Sequence, residues 1–515
     1  MVYKMKASSS YDAVVAKRSR LPLKLFAKGQ GMEEYDNFQF LNGVVSSDDI
    51  NTVEYLTAIE LAGEYLGEVG DTFNKLRVLV IKAQYDFHRA LLFLSKRAPN
   101  RNIKSFLERL GRALSVGTSL KDFLKIEFIS YTSEQKKMVE RGAEKIKLIV
   151  DMYAALTSAS ILLFTTLLMV QGVFGFADLN TVFSILLSVI LANAITSSYM
   201  VGKAIPVVTR LLHKGRNDVA KIISVAYTVL VISIFTIVAL IAFSFAGFPL
   251  IGIFIVFASV GSLGYFIYRI RVRPVLSRVS EINATLPSIL RTMADLLSAG
   301  GLHGAVDALA EGNWGGLTAP LKRLKARLVA GISTRSAFKM FFQESESEML
   351  RIHMGFFTLI QAIGLNVQKA TEVLLESIAI KQDAVKKRTT LSGYARGLIL
   401  PLHAAFVGVS VIVSELIKLF ERVSSMASAD QLGIQTPFFS HNISASFNWL
   451  PLIIVFSSIM ILVNAYLVVK IEGGWFGPFA ESISQLMLVT GIAGLLSYAA
   501  SQNIMFMINP VGAGG

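Results

Sequence analysis

The sequence contains no cysteine, which excludes disulfide bonds, thiolate metal sites and cysteine nucleophiles. It is also poor in charge, because only 17% of its 515 residues are charged whereas 53% are hydrophobic. The mean hydropathy of +0.55 departs from the balance of a soluble domain. The chain is therefore predicted to be an integral membrane protein.

The residue patterns of common catalytic sites are missing as well. No Gly-x-x-x-x-Gly-Lys-Ser/Thr stretch occurs, so the chain has no P-loop to hold a nucleotide. The six histidines lie far apart and have no carboxylates at ligand spacing, which argues against a metal site. Asp151 and Asp178 are predicted on opposite sides of the membrane, so they cannot form an intramembrane aspartyl protease. We expect no enzymatic activity, no cofactor and no metal.

Seven segments are long and apolar enough to cross a bilayer as helices, which takes about 20 residues each. They are residues 148–172, 181–201, 222–247, 248–268, 393–416, 449–469 and 484–507. The basic first residues contain no apolar core of signal-peptide length, so no cleaved leader is expected. A region of domain size precedes the first predicted span.

Lysine and arginine in the loops predict the orientation in the cell membrane. The loop 203–221 carries five basic residues against one acid, and "RIRVR" at 269–273 follows the fourth predicted span. By the positive-inside rule both lie in the cytoplasm, with the N-terminus on the same side and the C-terminus outside. The outer loop after 416 contains Asn442 in an Asn-Ile-Ser pattern, a candidate glycosylation site for which a chance match is about as frequent as a used site.

These boundaries predict an all-α membrane protein in four parts. Residues 1–147 form an N-terminal cytoplasmic helical bundle and residues 148–268 form four transmembrane helices. Residues 269–392 form a second cytoplasmic bundle, and residues 393–515 form three more transmembrane helices.

The two cytoplasmic blocks share a gapless repeat. "LERLGRALSVGTSLKDFLK" from Leu107 matches "LKRLKARLVAGISTRSAFK" from Leu321. The identical positions are Leu107/Leu321, Arg109/Arg323, Leu110/Leu324, Leu114/Leu328, Gly117/Gly331, Ser119/Ser333, Lys125/Lys339, Ser133/Ser347 and Glu134/Glu348. A leucine stripe alone is ordinary core periodicity, but the Gly-x-Ser that follows indicates a helix stop and a new helix cap. Duplication is the better interpretation, with Ser333 expected to cap the next helix.

A helical hairpin precedes this repeat in the second block. In "LPSILRTMADLLSAGG", residues 286–301, the glycines let the chain reverse so that the apolar face of one helix can pack on the next. In the first block "QYDFHRAL" stands in place of "SAGGLHGAV", which predicts a longer or shifted turn.

The hairpin glycines, the leucine stripe and the Gly-x-Ser occur in the order that resembles the type II secretion system F domain. That domain marks the membrane platform proteins of type II secretion, type IV pili and archaella. The resemblance implies a non-enzymatic scaffold, dimeric, that binds a hexameric secretion ATPase and passes its motion to pilin or archaellin subunits. The larger number of predicted spans is similar to archaeal members that serve archaella or adhesive pili.

Basic residues of the repeat are the candidate partner-docking surface, because a basic bundle at a membrane attracts an acidic partner. They are Arg109, Arg112, Lys121, Lys125, Lys322, Arg323, Lys325, Arg327, Arg335 and Lys339. Solubility and the positive-inside rule explain the same charges without a partner. Membrane lipid is a predicted contact, and no nucleic-acid partner is predicted.

A permease subunit or small-solute transporter with cytoplasmic regulatory bundles is the alternative function. Transporters place ionisable residues or broken helices near the midplane, and few such groups stand out in the predicted spans. Asn193 and Asn464 are the strongest buried polar candidates and are expected to bond between helices. Pro401 lies inside the fifth predicted span, where we expect a kink and a candidate hinge. Crosslinking to a pilin-like helix separates the two functions.

Overall fold

A computed structural model describes residues 30–98, 100–174, 179–204, 217–426, 450–473 and 476–508. Within these residues the regular structure is helical and contains no strand. The first seven α-helices described are α1 (Gln30–Val45), α2 (Thr52–Leu61), α3 (Gly63–Arg77), α4 (Phe87–Ser95), α5 (Arg101–Ser115), α6 (Leu120–Phe174) and α7 (Leu179–Ala204). Nine more follow: α8 (Asn217–Phe245), α9 (Leu250–Arg271), α10 (Arg273–Glu311), α11 (Thr318–Val329), α12 (Thr334–Ser345), α13 (Glu348–Ile363), α14 (Val367–Met426), α15 (Leu450–Glu472) and α16 (Phe476–Ile508). The predicted all-α class is confirmed.

Six of the described helices contain stretches long and apolar enough to cross a membrane. These stretches lie on α6, α8, α9 with the first part of α10, α14, α15 and α16. They overlap six of the seven predicted spans. The remaining predicted span, 181–201, lies on α7, whose side chains are described only in part and which is not among the six. The chain is an all-α integral membrane protein that crosses the bilayer several times.

The described chain divides into two compact units. The first contains the described residues within 30–139, 217–219 and 278–385, and the second contains those within 140–204, 220–277 and 386–508. The two blocks predicted as separate bundles share one hydrophobic core within the first unit, which includes Phe38, Phe106, Leu290 and Phe356. The unit boundaries at 139 and 385 fall inside the continuous helices α6 and α14.

The predicted hairpin break is at Gly301. Its φ of +67° and ψ of −176° interrupt α10, and this positive φ is available to glycine at little cost. Leu290 before the break and Val306 after it are buried in the same core. The first block reaches its turn differently, as predicted, because a π-helix at Val78–Lys82 precedes a turn in which Gln84 has a φ of +51°.

Small residues bring helices together inside the second unit. Gly491 of α16 packs so closely on Ala258 of α9 that a Cβ there would collide with backbone atoms. Ser497 of α16 lies beside Gly408 of α14. Small residues of α16 therefore contribute to packing within the chain, as expected where backbones approach in a membrane.

Candidate partner-docking surface

The two repeat copies end their first helix with the same backbone geometry. Gly117 at the end of α5 and Gly331 at the end of α11 have φ values of +88° and +78°. The amide after each glycine donates to the carbonyl five residues earlier, at 3.0 Å in the first copy and 3.1 Å in the second. This cap needs a left-handed residue, which glycine supplies without a steric penalty. The cap geometry agrees with the duplication inferred from the sequence.

The serines that follow the caps differ. Ser119 accepts a hydrogen bond from the amide of Asp122 at 3.0 Å and so caps α6. Ser333 makes no side-chain cap, and its hydroxyl donates instead to the Ser336 hydroxyl at 2.9 Å. The prediction that Ser333 caps the next helix is therefore wrong.

Two of the candidate docking arginines are paired within the second copy. Arg323 donates to Glu344 at 2.8 Å, and Arg327 donates to the other oxygen of the same carboxylate. Burial works to raise the pKa of Glu344, but the hydrogen bonds from Arg327 and Arg323 outweigh it and hold that pKa below its ordinary value. Both guanidiniums tie α11 to α12.

The first copy repeats this pairing with different partners. Arg109, the counterpart of Arg323, forms an ion pair with Glu127 on α6 and also donates to the Ser105 hydroxyl at 2.6 Å. Lys121 lies 2.7 Å from Asp49, and its hydrogen bond and charge lower the pKa of that exposed carboxyl. These two cations are also held within the chain.

Two further candidates make longer ion pairs. Arg112 lies 3.8 Å from Glu108 on its own helix. Lys325 lies 3.7 Å from Asp307 and 3.9 Å from Glu311 at the end of α10. Exposed pairs of this kind contribute little to stability, about 0–1 kcal/mol, so a partner's carboxylate can compete for these cations.

Four candidates remain exposed and have no ion-pair partner in the part of the chain that the structure describes. They are Lys125, Lys322, Arg335 and Lys339. Lys125 and Lys339 occupy matching positions of the two copies. The two other candidate positions lie elsewhere: Pro401 is exposed inside the helix α14, and Asn442 is outside the described residues.

A buried polar cluster in the first unit was not predicted from the sequence. Tyr131 of α6 donates to Asp36 of α1, and Lys381 of α14 donates to Asn37 of α1 at 3.1 Å. Burial raises the pKa of Asp36, although the hydrogen bond from Tyr131 opposes that change. Side chains of the long helices α6 and α14 are thereby hydrogen-bonded to α1. These residues are far apart in the sequence, so only the folded structure shows that they are in contact.

His353 of α13 belongs to the same buried interior. Its ring nitrogens lie 2.7 Å from the Met349 carbonyl and 2.9 Å from the Ser377 hydroxyl. Burial, with a further contribution from the charge of Lys381, lowers its pKa to about 3. The imidazole is therefore neutral and bonds α13 to α14.

The two predicted asparagines bond between helices of the second unit, as expected. Asn464 of α15 accepts from the Tyr153 hydroxyl at 2.6 Å, and Asn193 of α7 donates to the Thr157 hydroxyl at 3.4 Å. Tyr153 and Asn464 are both buried, so this bond is shielded from water. These contacts match the predicted role in helix packing.

Two ionisable side chains inside the fifth predicted span were missed. Arg396 donates to Glu472 of α15 at 2.8 Å, and His403 lies 2.8 Å from the Thr490 hydroxyl of α16. Thr490 donates its one proton to the Leu486 carbonyl, so the His403 Nε2–H is the donor to Thr490. An ionisable residue inside a predicted span indicates a polar contact between helices, so the positions of Arg396 and His403 within 393–416 could have predicted such contacts.

No family model and no solved structure matches the chain. The chain is 25% identical over 393 residues to flagella accessory protein J of Methanocaldococcus jannaschii, and the alignment covers 73% of this chain and 69% of that protein. It is 21% identical over 490 residues to flagella accessory protein J of Methanococcus voltae, which covers 91% of this chain and 85% of that protein. The likeness to the type II secretion system F domain stays a prediction.

Proposed function

We propose that the chain is a membrane platform protein of an archaeal type IV pilus-like filament, either an archaellum or an adhesive pilus. The similarity to two flagella accessory proteins over most of their length supports this most strongly. The all-α membrane architecture and the repeated glycine caps are compatible with it. The platform is a scaffold without catalytic activity, embedded in the cell membrane as a dimer with a cytoplasmic N-terminus and an external C-terminus.

In this function the first unit binds a hexameric secretion ATPase and the second contacts pilin or archaellin subunits that leave the bilayer. The helices α6 and α14 pass from one unit into the other without a break. A continuous helix transmits displacement along its axis, since its backbone hydrogen bonds resist stretching. Pro401 lies on α14 and would be the hinge of this connection.

The cations that bind the ATPase are those that the chain does not already neutralise. Lys125, Lys322, Arg335 and Lys339 are exposed and free of ion pairs among the described residues. Arg323 and Arg327 share Glu344, so binding an acidic partner through them would first break an existing pair. Free exposed charges increase the association rate and the salt dependence of binding.

Capture of the ATPase by the full chain in lipid nanodiscs tests this function. We expect Lys322→Glu/Lys339→Glu to weaken capture of the purified cognate ATPase by roughly tenfold at low salt. Lys104→Glu/Lys369→Glu changes the net charge equally and should leave capture unchanged, because neither residue is among the candidate docking residues. Equal loss in both variants would show that only overall charge matters and would contradict the proposed site.

A second experiment separates the platform from a permease. A photoreactive amino acid in the second unit should crosslink to the apolar helix of a pilin or archaellin subunit in native membranes. A permease shares the need for an ATPase but does not bind such a helix. Absence of the pilin crosslink, with ATPase capture intact, would favour the permease.

A further inference from the structure

An open groove lies between α3, the π-helix and α4 of the first unit. Its volume is about 560 Å³, within the range of about 300–1,000 Å³ that is common for binding sites. Its lining includes Lys75, Val78, Leu79, Phe93, Leu94 and Arg97. The π-helix widens the backbone here, and π-turns occur often at functional sites.

Large apolar side chains of the groove, and others that follow Val78 closely in the chain, are in contact with solvent. Val78 is 47% exposed, Ile81 42%, Tyr85 53% and Phe93 41%. Among the described residues before α6, no helix is long and apolar enough to cross a membrane. An apolar patch of this kind on a helical bundle marks a place of interaction.

The two charged side chains that line the groove are cations. Lys75 and Arg97 are exposed, and neither has an ion-pair partner among the residues described here. The Arg97 guanidinium lies over the Phe93 ring, 4.3 Å from its centroid, which holds it beside the apolar surface. Lys82 and Lys96 add two exposed cations close by in the chain. An occupant with carboxylates would find charge complementarity here.

The second repeat copy does not have the aromatic ring and the cation of this groove at the matching positions. In the register that sets Leu107 beside Leu321, Phe93 and Arg97 correspond to Asp307 and Glu311. There the two acids pair with Lys325, whose counterpart in the first copy is glycine. The first copy therefore lacks an internal ion pair at this place and presents an aromatic ring and a free cation instead.

We propose that this groove binds an acidic segment of a partner protein, with an apolar side chain against Val78, Leu79 and Phe93 and carboxylates on Lys75 and Arg97. An anionic lipid surface fits less well, because a bilayer surface is flat, whereas the apolar lining here is concave and needs a side chain that projects into it. A binding mode with apolar anchors and charged edges is common for helices that bind in grooves. The site does not depend on the proposed platform function.

Photocrosslinking of the full chain in its native membranes tests the site. The photoreactive residue p-benzoylphenylalanine replaces Phe93, and a matched control variant carries it at Val116, an apolar residue of the same unit that is 84% exposed. We expect a strong protein crosslink from position 93 alone, and mass spectrometry should place it in a net-acidic segment with apolar residues. A synthetic peptide of that segment should then bind the purified full chain.

Charge reversal completes the test. Lys75→Glu/Arg97→Glu should weaken binding of the peptide by roughly tenfold, and Lys75→Gln/Arg97→Gln by less, whereas Lys104→Glu/Lys369→Glu should have no effect. The glutamine pair serves if the glutamate pair unfolds in a thermal melt. A crosslink to lipid, a crosslink to a second copy of this chain, equal yields at 93 and 116, or binding insensitive to both charge variants would overturn the proposal.

Discussion

Gly331→Ala is expected to destabilise the first unit by about 1 kcal/mol. The glycine has a φ of +78°, and a Cβ built on it would meet no atom within 4 Å, so the effect comes from the backbone alone. A left-handed conformation costs an L-residue about 1–2 kcal/mol. Alanine lowers the entropy of the unfolded chain, which restores about 0.4–1 kcal/mol. The difference is a net loss of about 1 kcal/mol.

Gly304→Ala is the matched control, because it adds the same methyl group with the opposite expected sign. Gly304 lies in the second part of α10, its φ is negative, and a Cβ there also meets nothing within 4 Å. Alanine favours a helix over glycine by about 0.5–1 kcal/mol, so this variant should be more stable than the wild type. Gly331→Asn should recover part of the loss, since asparagine tolerates the left-handed region.

Denaturant unfolding of the full chain in detergent, followed by intrinsic tryptophan fluorescence, measures both variants. The protein has three tryptophans, and Trp314 lies in the same unit as both glycines. A Gly331→Ala variant as stable as Gly304→Ala would refute the left-handed cap. If both variants were less stable than the wild type, the added methyl groups would have to clash with neighbouring atoms. That result would contradict the open space found around Gly304 and Gly331.

Three further outcomes are expected from the same unfolding measurement. Glu344→Gln should lower the free energy of unfolding by roughly 1–2 kcal/mol, because it leaves the guanidiniums of Arg323 and Arg327 facing an uncharged group. Arg323→Gln should lower it by less, because Arg323 is half-exposed. The free energy of unfolding should fall by about 2 kcal/mol from pH 7 to pH 5, because the pKa of His353 is low in the folded protein and only the unfolded chain takes up a proton in this range. His353→Gln should abolish this contribution to the pH dependence. Tyr153→Phe should cost about 0.6 kcal/mol, because Asn464 loses a buried hydrogen bond, and no loss would mean that this bond is not formed.

The elements that the sequence predicted well are those set by neighbouring residues. The glycine caps and the break at Gly301 each depend on one residue with access to positive φ, and that requirement is visible in the sequence. Six of the predicted spans coincide with long apolar helices because burial in lipid demands a continuous apolar run. The sequence did not distinguish Ser333, which makes no cap, from Ser119, which does, because both follow a glycine in the same Gly-x-Ser pattern.

The ion pairs could not be predicted, because they join residues that only folding brings together. Arg109 and Arg323 are equivalent in the repeat, but their partners Glu127 and Glu344 are not at equivalent positions. The buried bond between Asn37 and Lys381 joins residues 344 positions apart. The sequence pattern therefore predicted where the basic helices lie, but it did not predict which of their charges lack an ion-pair partner.

Divergence between the two copies explains why one repeat carries two kinds of surface. In the second copy, acids on α10 and α12 neutralise Lys325, Arg323 and Arg327, so most of the charge on α11 stabilises the bundle. In the first copy, Phe93 replaces one of those acids and leaves a groove with unpaired cations. Ion pairs that are already formed within a chain must be broken before they bind a partner, whereas unpaired exposed cations need only lose water. Partner binding is therefore expected at exposed cations that the described part of the chain leaves unpaired: Lys75 and Arg97 in the groove, and Lys125, Lys322, Arg335 and Lys339 in the repeat.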